Sequence, residues 1–235
     1  MPFTINGVGT SVCDSRGHVN WGGGNDHDAL ECLVILFVPV MPIKAVHTFD
    51  WNGNQYRQIP IRWSGALVAY AFLRRWLLVS IVIGVILGFA GFADKTGASA
   101  ALIVIGGLMV AGSSVGLWLI RQSDQRTRDI RRVMGPHDLG SSDPATWPES
   151  LLQGVKPAKD SFGTLYYAEA VAARLAVGDF SGAMWAARLS TALEGRHSGE
   201  ELTKAVLEYP GVREAIEVVR QDPKRWAEVM RKPAG

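Results

Sequence analysis

Apolar positions are distributed unevenly along the chain, and the longest apolar stretches lie in its middle. From Trp76 to Ala93 there are 18 residues without a charge, and from Thr96 to Ile120 there are 25. As helices rising about 1.5 Å per residue, these runs extend roughly 27 and 37 Å, against a bilayer hydrocarbon core of about 30 Å. Each is long enough to span. The first extends back toward Phe72, with Arg74 and Arg75 reaching the headgroups along their aliphatic stems. Only a short loop carrying Asp94, Lys95 and the turn residue Gly97 separates the runs, which makes the helices antiparallel neighbours in a hairpin. Two buried core helices would instead need a soluble shell covering both on all sides, and the flanking segments are too small to supply it.

Small residues recur four apart within the runs: Gly84 and Gly88 in the first, Gly112 and Gly116 in the second, with Gly107 and Ala111 as a further pair. Such spacing lets another helix backbone approach closely, so these positions are the expected packing surface of the hairpin and of an assembly partner. Apart from the Arg pair near the interface, neither run contains an ionisable side chain. An ion path, proton relay or carrier site therefore has no chemistry to use, which argues against a transporter.

Residues 1 to 64 follow a different pattern. Val8 to Val12, Leu33 to Val38, Ala45 to Phe49 and Tyr56 to Ile61 carry β-branched and aromatic content between Gly- and Asn-rich turns, and Asn52-Gly53 is a hairpin signal. The apolar run from Cys32 to Ile43 contains Pro39 and Pro42 and is too short to span, so a buried strand leading into an extended turn is expected. Gly7-Val8-Gly9-Thr10, followed by the apolar run and Pro39-x-x-Pro42-x-Lys44, resembles an uncharacterised family of small bacterial β-domains often followed by membrane helices. The resemblance covers about residues 5 to 48 and brings no activity with it. This chain departs from the family's pattern in lacking the aromatic residues usual near Cys13 and Cys32.

Cys13, His18, His27 and Cys32 are four residues of the type that binds tetrahedral zinc, spaced C-x4-H-x8-H-x4-C. Their spacing is looser than that of paired zinc ligands, and small packed thiols are the expected explanation, with no metal or cofactor. A metal-dependent sensor or enzyme centred on these four is the alternative. Asp26-His27-Asp28 offers acid/base groups, but neighbouring loop residues point apart, so a solvated loop is expected. Gly22-Gly23-Gly24 lacks the Lys-Ser/Thr of a phosphate loop and precedes two carboxylates that would repel phosphate.

After the second run the pattern becomes amphipathic and helical. Arg121 to Met134 continues the membrane helix, and Gly135-Pro136 stops it. Asp143-Pro144 reads as an N-cap and first helical residue. Tyr166 to Val177 and Ser181 to Leu193 read as Ala-rich helices, Ser198 with Glu201 as a capping box for 200 to 208, and Pro210 and Asp222-Pro223 as two further helix starts. Residues 165 to 193 resemble a single tetratricopeptide-type helical hairpin through Val177-Gly178-Asp179-Phe180-Ser181-Gly182-Ala183, with Ala187 and Ser190 after it. A small helical bundle accounts for the same residues, because repeat solenoids need about three copies. His137-Asp138 and Arg196-His197 fall at helix ends or loops and are expected to be exposed caps.

Charge adds an orientation to this layout. The net charge is +2, without the large basic excess of a protein held on nucleic-acid phosphates. Arg62, Arg74 and Arg75 precede the first run, and Arg121, Arg126, Arg128, Arg131 and Arg132 follow the second, so both termini are expected in the cytoplasm. Trp76 and Trp118 fall at the same expected interface. Two cysteines are too few for a disulfide scaffold, and residues 1 to 25 lack the apolar centre of a secretory signal. The expected class is an α+β membrane protein of the bacterial inner membrane. Its parts are a β-domain (1–64), a transmembrane hairpin (65–120, spans about 73–93 and 97–120), a basic juxtamembrane helix and linker (121–142), and a helical domain (143–235). The expected role is that of a non-enzymatic inner-membrane anchor, assembly or accessory protein that presents cytoplasmic interaction domains to a protein partner or a second copy.

Overall fold

Strands come first along the chain, as β1 (Thr4–Ile5), β2 (Val8–Asn20), β3 (Asn25–Ile35), β4 (Val38–Asp50) and β5 (Tyr56–Pro60), and each lies beside its sequence neighbour in one sheet. The computed structural model describes residues 4–5, 8–21, 25–35, 38–50, 56–93, 99–137, 139–154, 167–194 and 196–231. Links of a few residues between strands cannot carry a parallel crossover, so the sheet is an antiparallel meander. The β1/β2 register pairs Ile5 with Val8, and the β4/β5 register runs from Val46 opposite Pro60 to Asp50 opposite Tyr56. Gly22 to Gly24 and Trp51 to Asn54, expected as turns, lie outside the described residues.

Two expectations need correction here. Asp26, His27 and Asp28 are not in a solvated loop but in β3, with Asp26 and Asp28 buried. Pro39 and Pro42, expected in an extended turn, lie within β4. β5 pairs with β4 only from Val46 onward, which leaves residues 39–42 a local edge on that side, and because alternate N–H groups point to opposite edges one of the two missing N–H groups falls on it.

Two long helices follow, α1 (Gly65–Ala93) and α2 (Ser99–Met134). Both are long and apolar enough to cross a membrane. The link carrying Asp94, Lys95 and Gly97 lies outside the described residues. Gly135 ends α2 at φ +77°, with its N–H donating to the Arg131 carbonyl, and a Cβ at this position would collide with the Trp226 ring.

The remainder is helical: a 3-10 turn (Pro144–Thr146), a helical turn over 149–154, then α3 (Tyr167–Val177), α4 (Phe180–Leu193), α5 (Arg196–Glu208), α6 (Pro210–Gln221), a second 3-10 turn (Pro223–Arg225) and α7 (Trp226–Met230). Asp143, Asp179 and Asp222 cap their turns by accepting from Ala145, Gly182 and Lys224 N–H groups, and Pro210 occupies the first turn of α6. Ser198 forms no capping box, because α5 begins at Arg196 and Ser198 is already inside the helix.

The chain packs into two compact units. The first comprises residues 1–14, 30–43 and 65–125, and so holds most of α1 and α2 with one portion of the strands. The second comprises 15–29, 44–64 and 126–235. Its core joins Ile130, Val133 and Met134 at the end of α2 to Ala183, Met184 and Ala187 on α4 and to Val212, Ile216 and Val219 on α6, closed by Trp226 and Met230. The three α6 residues recur at helical spacing, so one face of that helix is buried and the other carries its charges.

Candidate functional site

In the first unit the functional geometry is that of α1 against α2. Gly84 and Gly106 meet at the crossing: a Cβ on Gly106 would lie 2.5 Å from the Gly84 carbonyl oxygen and 2.9 Å from the Gly88 nitrogen. Gly116 receives the Leu77 side chain, where a Cβ would sit 2.8 Å from Leu77 Cδ1. As α1 descends from 84 to 77, α2 rises from 106 to 116, so the pair is an antiparallel hairpin. Of the small residues singled out in the sequence, Gly84 and Gly116 line the crossing and Gly88 reaches it through its backbone, whereas a Cβ on Gly88, Gly107 or Gly112 would meet open space. Gly106 is the contact the four-residue spacing missed, since its own partners at four residues are Leu102 and Val110.

Outside the crossing the side chains are apolar and uncovered. Phe89 and Phe92 on α1 are 73% and 78% exposed, and Leu108 on α2 is 68% exposed. Only 11% of the most apolar window of either helix is buried, the reverse of a soluble core helix. The antiparallel register brings Trp76 and Trp118, both exposed, to within about one helical turn of the same level. Arg75 and Arg121 are exposed near that level, and the Arg74 guanidinium sits 6.0 Å from the Tyr70 ring centroid.

Along β3 the sequence hid a different feature. Alternation along β3 puts Asp26, Asp28, Leu30, Cys32 and Val34 on one buried face, so two carboxylates share a face with apolar residues. Asp28 receives Nδ1 of the fully buried His47 on β4 at 2.9 Å and pairs with the fully buried Arg131 of α2 at 2.5 Å. Burial pushes the Asp28 carboxyl up, but the Arg131 charge and the His47 hydrogen bond outweigh it and hold its pKa at about 2. Arg131 also donates to the Gly17 carbonyl at 2.7 Å; Gly17 has φ +68°, and any Cβ there would press on Thr127 and the Arg131 guanidinium. Asp26 accepts the Ser141 backbone N–H at 2.6 Å, beside Gly140, itself at φ +70°.

The expected zinc set is dispersed in its roles. His18 and His27 stack with ring centroids 4.5 Å apart, and His18 Nε2 lies 2.5 Å from Ser15 Oγ. Burial, with the neighbouring His18 and Arg131 charges, lowers the His27 pKa to about 4. The Cys32 sulfur is buried 4.0 Å from the Leu30 carbonyl, and the Cys13 side chain lies outside the described residues. Among the described residues no group of three or more His, Cys, Asp or Glu is arranged to hold a metal ion.

A second buried cluster ties the helical part together. Arg188 on α4 embraces Asp143 through Nε at 2.9 Å and Nη2 at 2.7 Å, and reaches Glu200 at 3.0 Å, which in turn accepts from Arg126 on α2 at 2.6 Å. Burial opposes the Arg188 charge, and the Asp143 and Glu200 carboxylates more than restore it. His137, expected as an exposed cap, is instead half-buried against Trp185 at 4.7 Å and Trp147 at 6.2 Å, and bonds to the Ser142 carbonyl. His197 is exposed as expected, while Asp138 and the Arg196 side chain lie outside the described residues. The buried Arg188 and Asp143 pair acts as a clamp on the packing of the second unit. No protein-family model matches the chain, and no curated protein or solved structure matches it significantly.

Proposed function

We propose that this chain is a membrane-anchored, non-catalytic assembly or accessory protein of the bacterial inner membrane, with both termini in the cytoplasm. The observation that carries the reading is the uncovered apolar surface of α1 and α2, with side chains as large as Phe89 and Phe92 facing outward. In water such a surface would drive aggregation; in lipid it is the ordinary exterior of a span. Orientation rests on Arg62 before α1, Arg74 and Arg75 in its first turns, and the Arg residues that follow the apolar part of α2. Arg75 and Arg121, with Trp76 and Trp118, form the headgroup belt on the cytoplasmic side. The clamped helices of the second unit supply a stable body for a protein partner or a second copy, and no nucleic acid, metal or cofactor is invoked.

Reporter fusions test this. Fusions after Ser64 and after Arg132 should both report cytoplasm, and a fusion at Lys95 should report the opposite side. A periplasmic signal from either of the first two overturns the orientation, and a soluble, uniformly cytoplasmic protein overturns the anchor.

A further inference from the structure

Beyond the two helices, the first unit exposes a third apolar element, the end of the β3–β4 hairpin. Between Glu31 and Lys44 the chain runs twelve residues without a charge. Ile35, Val40, Met41 and Ile43 are 44%, 52%, 54% and 43% exposed, and Val12 on neighbouring β2 is 38% exposed. Successive residues of a strand point to opposite faces. Val40 and Met41 are therefore exposed on opposite faces of β4, although Pro39 beside them and Cys32 and Val34 on β3 are buried. A soluble edge strand would place charges or polar groups here to prevent pairing with other chains.

We propose that this hairpin end is a membrane-contacting element that dips into the headgroup and upper acyl region beside the spans; the proposal rests on the membrane reading of α1 and α2. Two observations select lipid as the occupant. Residues 30–43 belong to the same compact unit as α1 and the apolar part of α2, so the exposed apolar side chains of strands and helices lie in one unit. A protein partner seats on one face of a sheet, whereas a fluid apolar phase reaches both, and Val40 and Met41 offer it an exposed apolar side chain on each. The interfacial depth follows from the backbone. Residues 38–44 of β4 lack a β5 partner, and their outward N–H and C=O groups need the water and headgroups that the bilayer centre does not offer. Lys44, exposed at the end of the uncharged run, suits an anionic headgroup.

The test uses the full chain in mixed phosphatidylcholine and phosphatidylglycerol vesicles, in a Cys13→Ser background where the remaining Cys32 thiol is buried. An environment-sensitive fluorophore is attached in turn to Val40→Cys, Met41→Cys, Phe89→Cys and Lys204→Cys variants. Positions 40 and 41 should both show blue-shifted emission, quenching by nitroxide-labelled lipid and loss of iodide quenching. Position 204, on the exposed face of α5, should show the reverse. Iodide quenching at either 40 or 41, as at 204, overturns the proposal. So does protection from both quenchers, which would mean that protein covers the hairpin. If position 89 itself escapes the lipid quencher, the membrane reading of the helices fails; if 89 is quenched and 40 and 41 are not, only the hairpin proposal fails.

Discussion

The α1–α2 hairpin and the helical core of the second unit order their side chains in opposite ways. On α1 the largest apolar groups point outward and the contact with α2 is made by glycines, so the backbones themselves touch. In the second unit the apolar groups point inward, and charges such as Arg131, Asp28 and Arg188 are buried with them. Where the surroundings are apolar, outward burial gains nothing and close backbone packing decides association. Where they are aqueous, apolar burial drives folding and a buried charge survives only with its partner. The contrast predicts different consequences for mutation in the two regions.

The largest effect should come from Arg131→Met. It leaves Asp28 buried opposite one histidine and frees the Gly17 carbonyl, and the cost should be about 3–5 kcal/mol, as for other buried ion pairs broken on one side. Denaturant unfolding of the detergent-solubilised protein measures it. Adding Asp28→Leu should recover part of the loss, since removing both charges also removes their desolvation cost. No recovery would mean that the pair supplies more than mutual neutralisation.

Next in size is the helix crossing. Gly106→Leu forces a side chain against the Gly84 carbonyl and should cost on the order of 1–3 kcal/mol, read as a lower melting temperature in detergent. Gly107→Leu and Gly112→Leu, facing open space, should leave melting unchanged. Equal effects at 106 and 112 would contradict the crossing.

Acid provides a smaller effect confined to the second unit. The folded His27 pKa of about 4 lies below its usual 6.5, so the unfolded chain binds more protons between these values. Stability is therefore fully present above about pH 6.5 and declines as pH falls toward 4; given the partial exposure of the ring, the loss is on the order of 1 kcal/mol. Asp28 adds a further loss as pH falls from its unfolded pKa near 4 toward 2. His27→Gln should flatten the upper window and leave the lower one in place. Smallest of all, Arg225→Ala should leave melting unchanged, because its pair with Glu228 is fully exposed to solvent.

How much of this was visible in the chain depended on the range of the interaction. The two apolar helices, the Gly135 stop, the Asp143, Asp179-Phe180 and Pro210 boundaries and the Val212–Ile216–Val219 face are local patterns, and each lies where periodicity and caps put it. The inward carboxylates left a faint trace in the alternation Asp26-x-Asp28-x-Leu30-x-Cys32-x-Val34, but polar residues beside Gly22 to Gly24 read as loop. Their partners His47 and Arg131 lie 19 and 103 positions from Asp28, and no spacing rule reaches that far. The burial of His137 escapes local rules for the same reason, since Trp185, which packs against it, is 48 positions away on α4. Among the glycines, the four-residue pattern identified Gly84 and Gly88 but chose Gly112 over Gly106, because which side of α2 meets α1 is set by the rotation of the helix as a whole.

The central claim, that α1 and α2 are lipid-facing spans, is tested most directly by photolabelling native membranes with an apolar carbene reagent dissolved in the bilayer. Peptide mapping should find label on the outward side chains Val82, Ile86, Phe89, Phe92, Leu108 and Val115, and little on α4 to α6. Membranes in which α1 and α2 stay unlabelled while the soluble helices take up the reagent would contradict it.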